Sequence, residues 1–431
     1  MKSLPLLACL CLCTPAWTAP HLLTQSAEAL DQQLAATLQS LSDGNIAEAR
    51  VLAREAARRF PRSALAQLLA AELGASAAHR QVLAAGGAAH HDAPLQELLL
   101  EARARLHDRP SPDHGPLPEK LPTEVIQLGK AVSALLVVDL ADSSMHHLAV
   151  NAGVPTLIQQ HYVGSGKAGF DKRFEGDNKT PLGVYRITGY RSDASLPDLY
   201  GAGALTLNYP NALDRHLGRT GSGIWLHGVP HRQRSRSPRS SEGCVTMSND
   251  HFNALYRRLS GDRNLLTQPP SSAISSAEPI VLLTHDVQWQ EASARHREQM
   301  NFQTLFERYQ RAWQAGDERA LLDLYASPEQ LQTRLQQTST TEQMLPVLLG
   351  RVNKRDISIF HNPSLPGAGR GETARFMPVA RQTGHARATQ PEIVMHMRLG
   401  EAGEYHLSLY WGQNLHGQWQ LLTEQWDSMS S

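Results

Sequence analysis

Five prolines, Pro110, Pro112, Pro116, Pro118 and Pro122, fall within one short polar stretch. Proline fixes its own φ and lacks an amide donor, so neither a regular helix nor a central strand runs through such a stretch. It reads as an extended, semi-rigid spacer. The hydrophobic period differs on its two sides. From Ala27 to about His107, Ala, Leu, Glu, Arg and Gln recur at helical spacing, with turn signals at Ser42-Asp43-Gly44 and Pro61-Arg62-Ser63. Beyond the prolines, short apolar runs separated by turn residues read as strands. At roughly 100–200 residues per domain, a chain of 431 residues is expected to hold about two to four domains. The expected division is a signal segment over 1–19, an α-helical region over 20–108, a Pro-rich linker over 109–124, a mostly-β domain over 125–288 and an α+β domain over 289–431.

In the helical region, Gly44, Ala49, Ala56 and Pro61 have the spacing of a tetratricopeptide-like hairpin, in which small residues let two helices approach and proline ends the second. A small helical bundle used for self-association or for docking a protein partner fits the same pattern. In the β domain, strands are expected at Ala134 to Leu140, His147 to Val150, Thr156 to Val163, Gly183 to Ile187, Gly223 to His227 and Pro279 to Thr284, with one helix at Asn249 to Leu259. In the last domain, a helix from Ala292 to Ala315 carries Phe302, Leu305, Tyr309 and Trp313 on one stripe, which reads as core, and a second runs from Glu318 to Tyr325. Strands follow at Asp356 to Phe360, Thr373 to Pro378, Ile393 to Leu399, Tyr405 to Trp411 and Trp419 to Thr423. Helices first and strands afterwards indicate an α+β fold.

The first residues set the expected compartment. Lys2, an apolar run from Leu4 to Cys13 and small residues up to Ala19 read as a secretory signal, and the run is too short for a membrane span. The protein is therefore expected to be exported to the periplasm, with no transmembrane segment. Cys9, Cys11 and Cys13 leave with that signal, so Cys244 remains as the single thiol and has no internal disulfide partner. The 41 basic and 41 acidic residues balance, which gives no global field for nucleic acid.

The surroundings of Cys244 point to chemistry. Gly223-Ile224-Trp225-Leu226-His227-Gly228 is an apolar strand ending on a histidine, and Cys244 lies further on within Ser240-Ser241-Glu242-Gly243-Cys244-Val245-Thr246. A thiol nucleophile needs a base and backbone donors for the oxyanion of a tetrahedral intermediate. His227 at a strand end is placed to be the base, and Gly243 leaves room for backbone N–H groups beside a substrate carbonyl. A thiol activated as thiolate would react quickly with iodoacetamide near pH 6.

These residues resemble the YkuD-type L,D-transpeptidase family. The strand, the His-Gly pair, the loop and the Ser-x-Gly-Cys-Val segment match its pattern, and Gly176-Asp177-Asn178-Lys179-Thr180-Pro181-Leu182-Gly183-Val184-Tyr185 looks like a second motif of the family. The resemblance implies that Cys244 attacks the carbonyl between an L-centre and a D-amino acid in a peptidoglycan stem peptide, with His227 as base. It also implies that the Gly228 carbonyl orients the imidazole and that Gly243 and Cys244 form the oxyanion hole. The sequence departs from the family at Thr246, where an Arg or Asn is common, and at Glu242, where a His is common. Arg232, Arg234, Arg236 and Arg239, with Ser241, are the substitutes expected to bind the substrate, since guanidinium groups suit carboxylates.

The three-part layout further resembles the cell-shape subgroup of that family, which carries L,D-carboxypeptidase activity and a C-terminal domain like nuclear transport factor 2, a cone whose pocket suits a peptide or glycan. Acyl transfer is the activity expected here, L,D-carboxypeptidation the alternative, and a non-catalytic peptidoglycan-binding protein a further one. No cofactor or metal is expected. His227 and His231 form an H-x3-H, but Gly228 and Pro230 forbid the helix on which zinc ligands at that spacing share a face. A cysteine phosphatase would need an Arg where the chain has Asp250. The pairs His90-His91 and His146-His147 read as surface residues.

Overall fold

The computed structural model describes residues 29–30, 32–40, 43, 45–61, 63–74, 120–233, 236–260, 278–336, 344–363, 392–400 and 403–428. The signal segment, Gly44, His90, His91, Pro110 to Pro118, Arg234 and the strand expected at Thr373 to Pro378 lie outside the described residues. Among the described residues, no helix is long and apolar enough to cross a membrane.

The N-terminal unit is helical, with α1 over 32–40, α2 over Ile46–Arg59 and α3 over Ala64–Gly74. Asn45 caps α2 by accepting the Glu48 amide at 3.3 Å, and Arg58 and Arg59 in its last turn suit the negative end of the helix dipole. Ala49, Ala53 and Ala56 are fully buried on one face of α2. Side chains this small let a neighbouring backbone come close.

The rest of the described chain forms a second unit, in which the described residues form one eight-stranded, one five-stranded and two two-stranded sheets. It opens with two short strands, β1 (Lys120–Pro122) and β2 (Val125–Gln127). These are followed by β3 (Val132–Asp139), β4 (Ser144–Asn151), β5 (Val154–Tyr162), β6 (Ser165–Gly166), β7 (Gly183–Ser192), β8 (Gly203–Leu207), β9 (Trp225–His227), β10 (Arg239–Ser241), β11 (Val245–Thr246) and β12 (Glu278–Thr284). The main sheet has the order β11-β9-β8-β7-β12-β3-β4-β5, with β12 parallel to β3 and antiparallel to β7. Among the described residues, two α-helices belong to this part, α4 (Ala212–His216) and α5 (Asn249–Leu259). Ser248 caps α5, and Phe252, Leu255 and Tyr256 pack on one face of the sheet with Leu136, Val138 and Val281. The other face, with Leu135, Val137 and Ile280, packs against Phe360, Val394 and Tyr410 of the C-terminal sheet. Coverage on both faces explains why β3 and β12 are continuous apolar runs without alternation.

The same coverage corrects the reading of His146 and His147 as surface residues. Both are buried within β4, and His146 sets its ring edge-on to Trp289 at 5.0 Å. Burial lowers each imidazole pKa to about 4.

The C-terminal part begins with β13 (Trp289–Glu291), which pairs with β1. The end of the expected linker is therefore a strand, with Pro122 in a two-stranded ribbon where a missing donor costs little. Among the described residues, four α-helices follow, α6 (His296–Ala315), α7 (Glu318–Leu324), α8 (Pro328–Gln336) and α9 (Leu345–Gly350), and then strands β14 (Ser358–His361), β15 (Ile393–Leu399), β16 (Tyr405–Gln413) and β17 (Trp419–Ser428). Their sheet has the order β17-β16-β15-β14-β2. The stripe Phe302, Leu305, Tyr309 and Trp313 is buried against Leu407, Leu409 and Trp411, as its spacing indicates. A cleft of about 630 Å³ opens here, lined by Arg308, Asp323 and Trp419 among others. Although β2 opens the segment expected to be the β domain, its partner is β14 of the C-terminal sheet. Arg186 of β7 is paired with Asp427 of β17, and the Ala212 amide donates to Gln425 Oε1 at 2.9 Å.

Candidate active site

Strand register builds the site. Arg191 pairs with Ala204, Ala204 with His227, and His227 with Thr246. Paired residues point to the same face, and successive residues along a strand alternate between faces. The neighbouring row, Leu205, Leu226 and Val245, points into the core. Cys244, one residue before Val245, therefore shares the face of His227 on the adjacent parallel strand.

His227 is buried, and its Nδ1 lies 2.7 Å from the Gly228 carbonyl oxygen. A carbonyl only accepts, so Nδ1 carries the proton and Nε2 is left as an acceptor. Burial lowers the imidazole pKa to about 4, outweighing the Gly228 contact, which acts upward. The ring is neutral at neutral pH. Tyr200 stands edge-on to it at 5.0 Å between centroids and leans on Trp225 at 5.1 Å, while the Arg191 guanidinium lies over the Trp225 ring at 5.5 Å. Tyr200 and Arg191 belong to no recognisable motif, and the sequence reading missed them.

Cys244 is half-buried and its Sγ donates to the Gly223 carbonyl at 3.3 Å. Burial pushes the thiol pKa up, while the Trp225 amide, Lys172 and Arg236 act downward. The resting pair is thus a thiol and a neutral imidazole.

The turn before the cysteine is braced from two sides. The Ser241 hydroxyl donates to the Cys244 carbonyl at 2.6 Å and accepts the Gly243 amide at 3.1 Å. Ser241, expected to bind substrate, is buried and its hydroxyl is occupied within the turn, and the Gly243 N–H expected for an oxyanion hole is given to that hydroxyl. Gly243 has φ +130°, and a Cβ there would meet the Lys179 carbonyl oxygen at 2.7 Å. Lys179 comes from the second motif, where Asp177 pairs with Lys172 at 2.7 Å in a buried contact and accepts the amides of Arg173 and Lys179 at 2.8 and 3.1 Å. The two sequence motifs therefore meet at the nucleophile turn.

The arginine loop is dispersed. Arg236 donates from Nη2 to the Ser240 carbonyl at 3.1 Å, and its charge acts on both Cys244 and His227. Arg232 is exposed, and Arg239 lies over the Phe170 ring at 6.0 Å. Thr246 is buried, with its backbone paired to Gly164. His231 Nδ1 is engaged by Asp198 at 2.7 Å on the surface. Among the described residues, no group of three or more His, Cys, Asp or Glu side chains is arranged to hold a metal ion.

Residues 133–271 match the family model of the L,D-transpeptidase catalytic domain, YkuD. This segment is a YkuD-type L,D-transpeptidase catalytic domain. The protein is accordingly an enzyme of the L,D-transpeptidase or L,D-carboxypeptidase type, acting on peptidoglycan. Among solved structures, the helical cell shape determining protein Pgp2 from Campylobacter jejuni is 18% identical, with a TM-score of 0.42 over 70% of this chain and 96% of that one. Bd1075 of Bdellovibrio bacteriovorus is 19% identical, with a TM-score of 0.45 over 72% and 99%. An L,D-transpeptidase (Yku) from Stackebrandtia nassauensis is 15% identical, with a TM-score of 0.24 over 44% and 67%. No curated protein matches the chain.

Proposed function

We propose that the protein is a peptidoglycan L,D-transpeptidase of the periplasm. The observation that carries this reading is Cys244 and His227 on one face of adjacent strands, with Nδ1 tied to Gly228 so that Nε2 is the acceptor. The thiol proton passes to Nε2 as sulfur attacks the carbonyl of the L-centre in a stem peptide. The carbon–nitrogen bond to the D-amino acid then breaks, and the leaving amine takes the proton from His227, which leaves a thioester on Cys244. The amine of a second stem peptide attacks the thioester, gives its proton to His227 and releases the thiol. With the Gly243 amide held by Ser241, the oxyanion falls to the Cys244 amide. Arg236 is the arginine in electrostatic reach of both catalytic groups and holds a substrate carboxylate.

In this reading the helical N-terminal region docks a protein partner or a second copy, and the C-terminal domain is a cone like nuclear transport factor 2. Incubation with disaccharide tetrapeptide, with product masses as readout, tests the reaction. Cross-linked dimer with release of D-amino acid is expected. Tripeptide and free D-amino acid without dimer, even with acceptor in large excess, would make the enzyme an L,D-carboxypeptidase working through the same acyl-enzyme.

A further inference from the structure

Gly228 and Val229 share one peptide plane, so the direction of the Gly228 carbonyl fixes that of the Val229 N–H. The carbonyl faces His227 Nδ1 at 2.7 Å, and the Val229 N–H donates to Asn249 Oδ1 at 3.1 Å. The same Oδ1 accepts the Ala202 amide at 2.9 Å, and Asn249 Nδ2 donates to the Val229 carbonyl at 2.8 Å. Room for the amide comes from two glycines, since a Cβ at either Gly201 or Gly228 would collide with Asn249 Oδ1. Asn249 is the first residue of α5, whose Phe252 and Leu255 are anchored in the core beneath the sheet.

The geometry points to Asn249 as a positioning residue for the base: it clamps the plane of the Gly228–Val229 peptide and thereby fixes the tautomer and tilt of the His227 ring. A single side chain satisfies the N–H and C=O of Val229 together with the N–H of Ala202. Apart from His227 itself, no other side chain among the described residues bonds that peptide plane. If the plane turned, the Gly228 carbonyl would leave Nδ1, the proton would distribute between the two ring nitrogens, and Nε2 would no longer be reserved for the thiol.

The inference rests on the proposed role of His227, but its central readout needs no substrate. In protein labelled with ¹⁵N-histidine, the wild type is expected to show His227 as the single Nδ1–H tautomer at neutral pH. Asn249→Ala should give a mixture of tautomers and lower kcat at least about tenfold, with KM within about twofold. Asn249→Asp keeps the acceptor for both amides and should restore the Nδ1–H tautomer. Ser248→Ala removes the cap of the same helix without touching the clamp, and should leave both tautomer and kcat unchanged. A single Nδ1–H tautomer in Asn249→Ala, or an equal fall in kcat in Ser248→Ala, would overturn the assignment. Transpeptidation failing while the tautomer shift holds would remove the proposed function and leave the clamp standing.

Discussion

Glu278 at the start of β12 and His406 on β16 form a fully buried hydrogen-bonded pair that joins the catalytic sheet to the C-terminal sheet. Burial alone would raise the Glu278 carboxyl, but His406 and the nearby Arg186 outweigh it and hold the group below its usual range. Arg186 in turn meets Asp427, so the seam between the sheets carries charges of both signs.

Removing one partner of such a pair leaves the other buried and uncompensated. Burial and Arg186 hold the His406 imidazole below its usual range, so Glu278→Ala leaves it neutral with an unmet hydrogen bond and is expected to cost about 1–3 kcal/mol of stability, seen as a lower midpoint in thermal or urea unfolding. A loss below about 1 kcal/mol would mean that the pair does not hold the seam.

Turnover should depend on the two residues of the strand pair and not on general packing. Cys244→Ala and Cys244→Ser are expected to abolish product formation while circular dichroism stays that of the wild type. His227→Ala should lose at least ~10²-fold in rate. Full activity of the alanine variant at Cys244 would refute the thiol chemistry.

The pH dependence follows from buried histidines whose pKa values burial lowers, His396 and His406 among them, and three of them set the range near pH 4. His146, His147 and His227 have folded pKa values of about 4, below the ordinary value for histidine. Their neutral burial therefore stabilises the fold fully above about pH 6.5, and that contribution is lost as pH falls towards 4, at about 1–3 kcal/mol apiece. The acid limb of kcat/KM should accordingly lie near pH 4, where His227 titrates. Because burial raises the Cys244 thiol, alkylation by iodoacetamide should be slow at pH 6 and climb above pH 8. A fast plateau at pH 6 would show a preformed thiolate.

Among the arginines of the loop, Arg236→Ala should raise KM for stem peptide several-fold, while Arg232→Ala and Arg239→Ala leave it unchanged. Steady-state kinetics on each variant separates them. Equal effects from all three would mean that the loop acts only through its net charge.

The legible parts of the molecule are those written locally. The helix Asn249–Leu259 was readable to the residue, because Ser248 caps it and Arg257 and Arg258 close it. Cys244 and His227 stood out because glycine, strand end and lone thiol occur within short segments. Other parts arise only when distant segments meet. Tyr200 reaches His227 through folding alone, and the Gly243 amide is taken by Ser241 through a turn that spacing does not reveal. His146 and His147 misled because polar side chains in a strand suggest a solvent face, whereas β4 is covered on both faces by tertiary packing. The pairing of β2 with β14 is illegible in the sequence for a related reason. Three residues cannot specify a partner more than two hundred residues away.

That strand has a consequence for how the enzyme can be divided. β2 precedes the whole catalytic sheet in the chain yet finishes the C-terminal sheet beside β14, while β12, the last strand of the catalytic sheet, lies between β7 and β3. A fragment stopped after β12 would strand β2 without a neighbour and strip Phe360, Val394 and Tyr410 from the face they cover. The catalytic half is thus sewn into the C-terminal half and is not a cassette beside it. Cutting between them would expose one apolar face on each side, so each half relies on the other to keep that face dry.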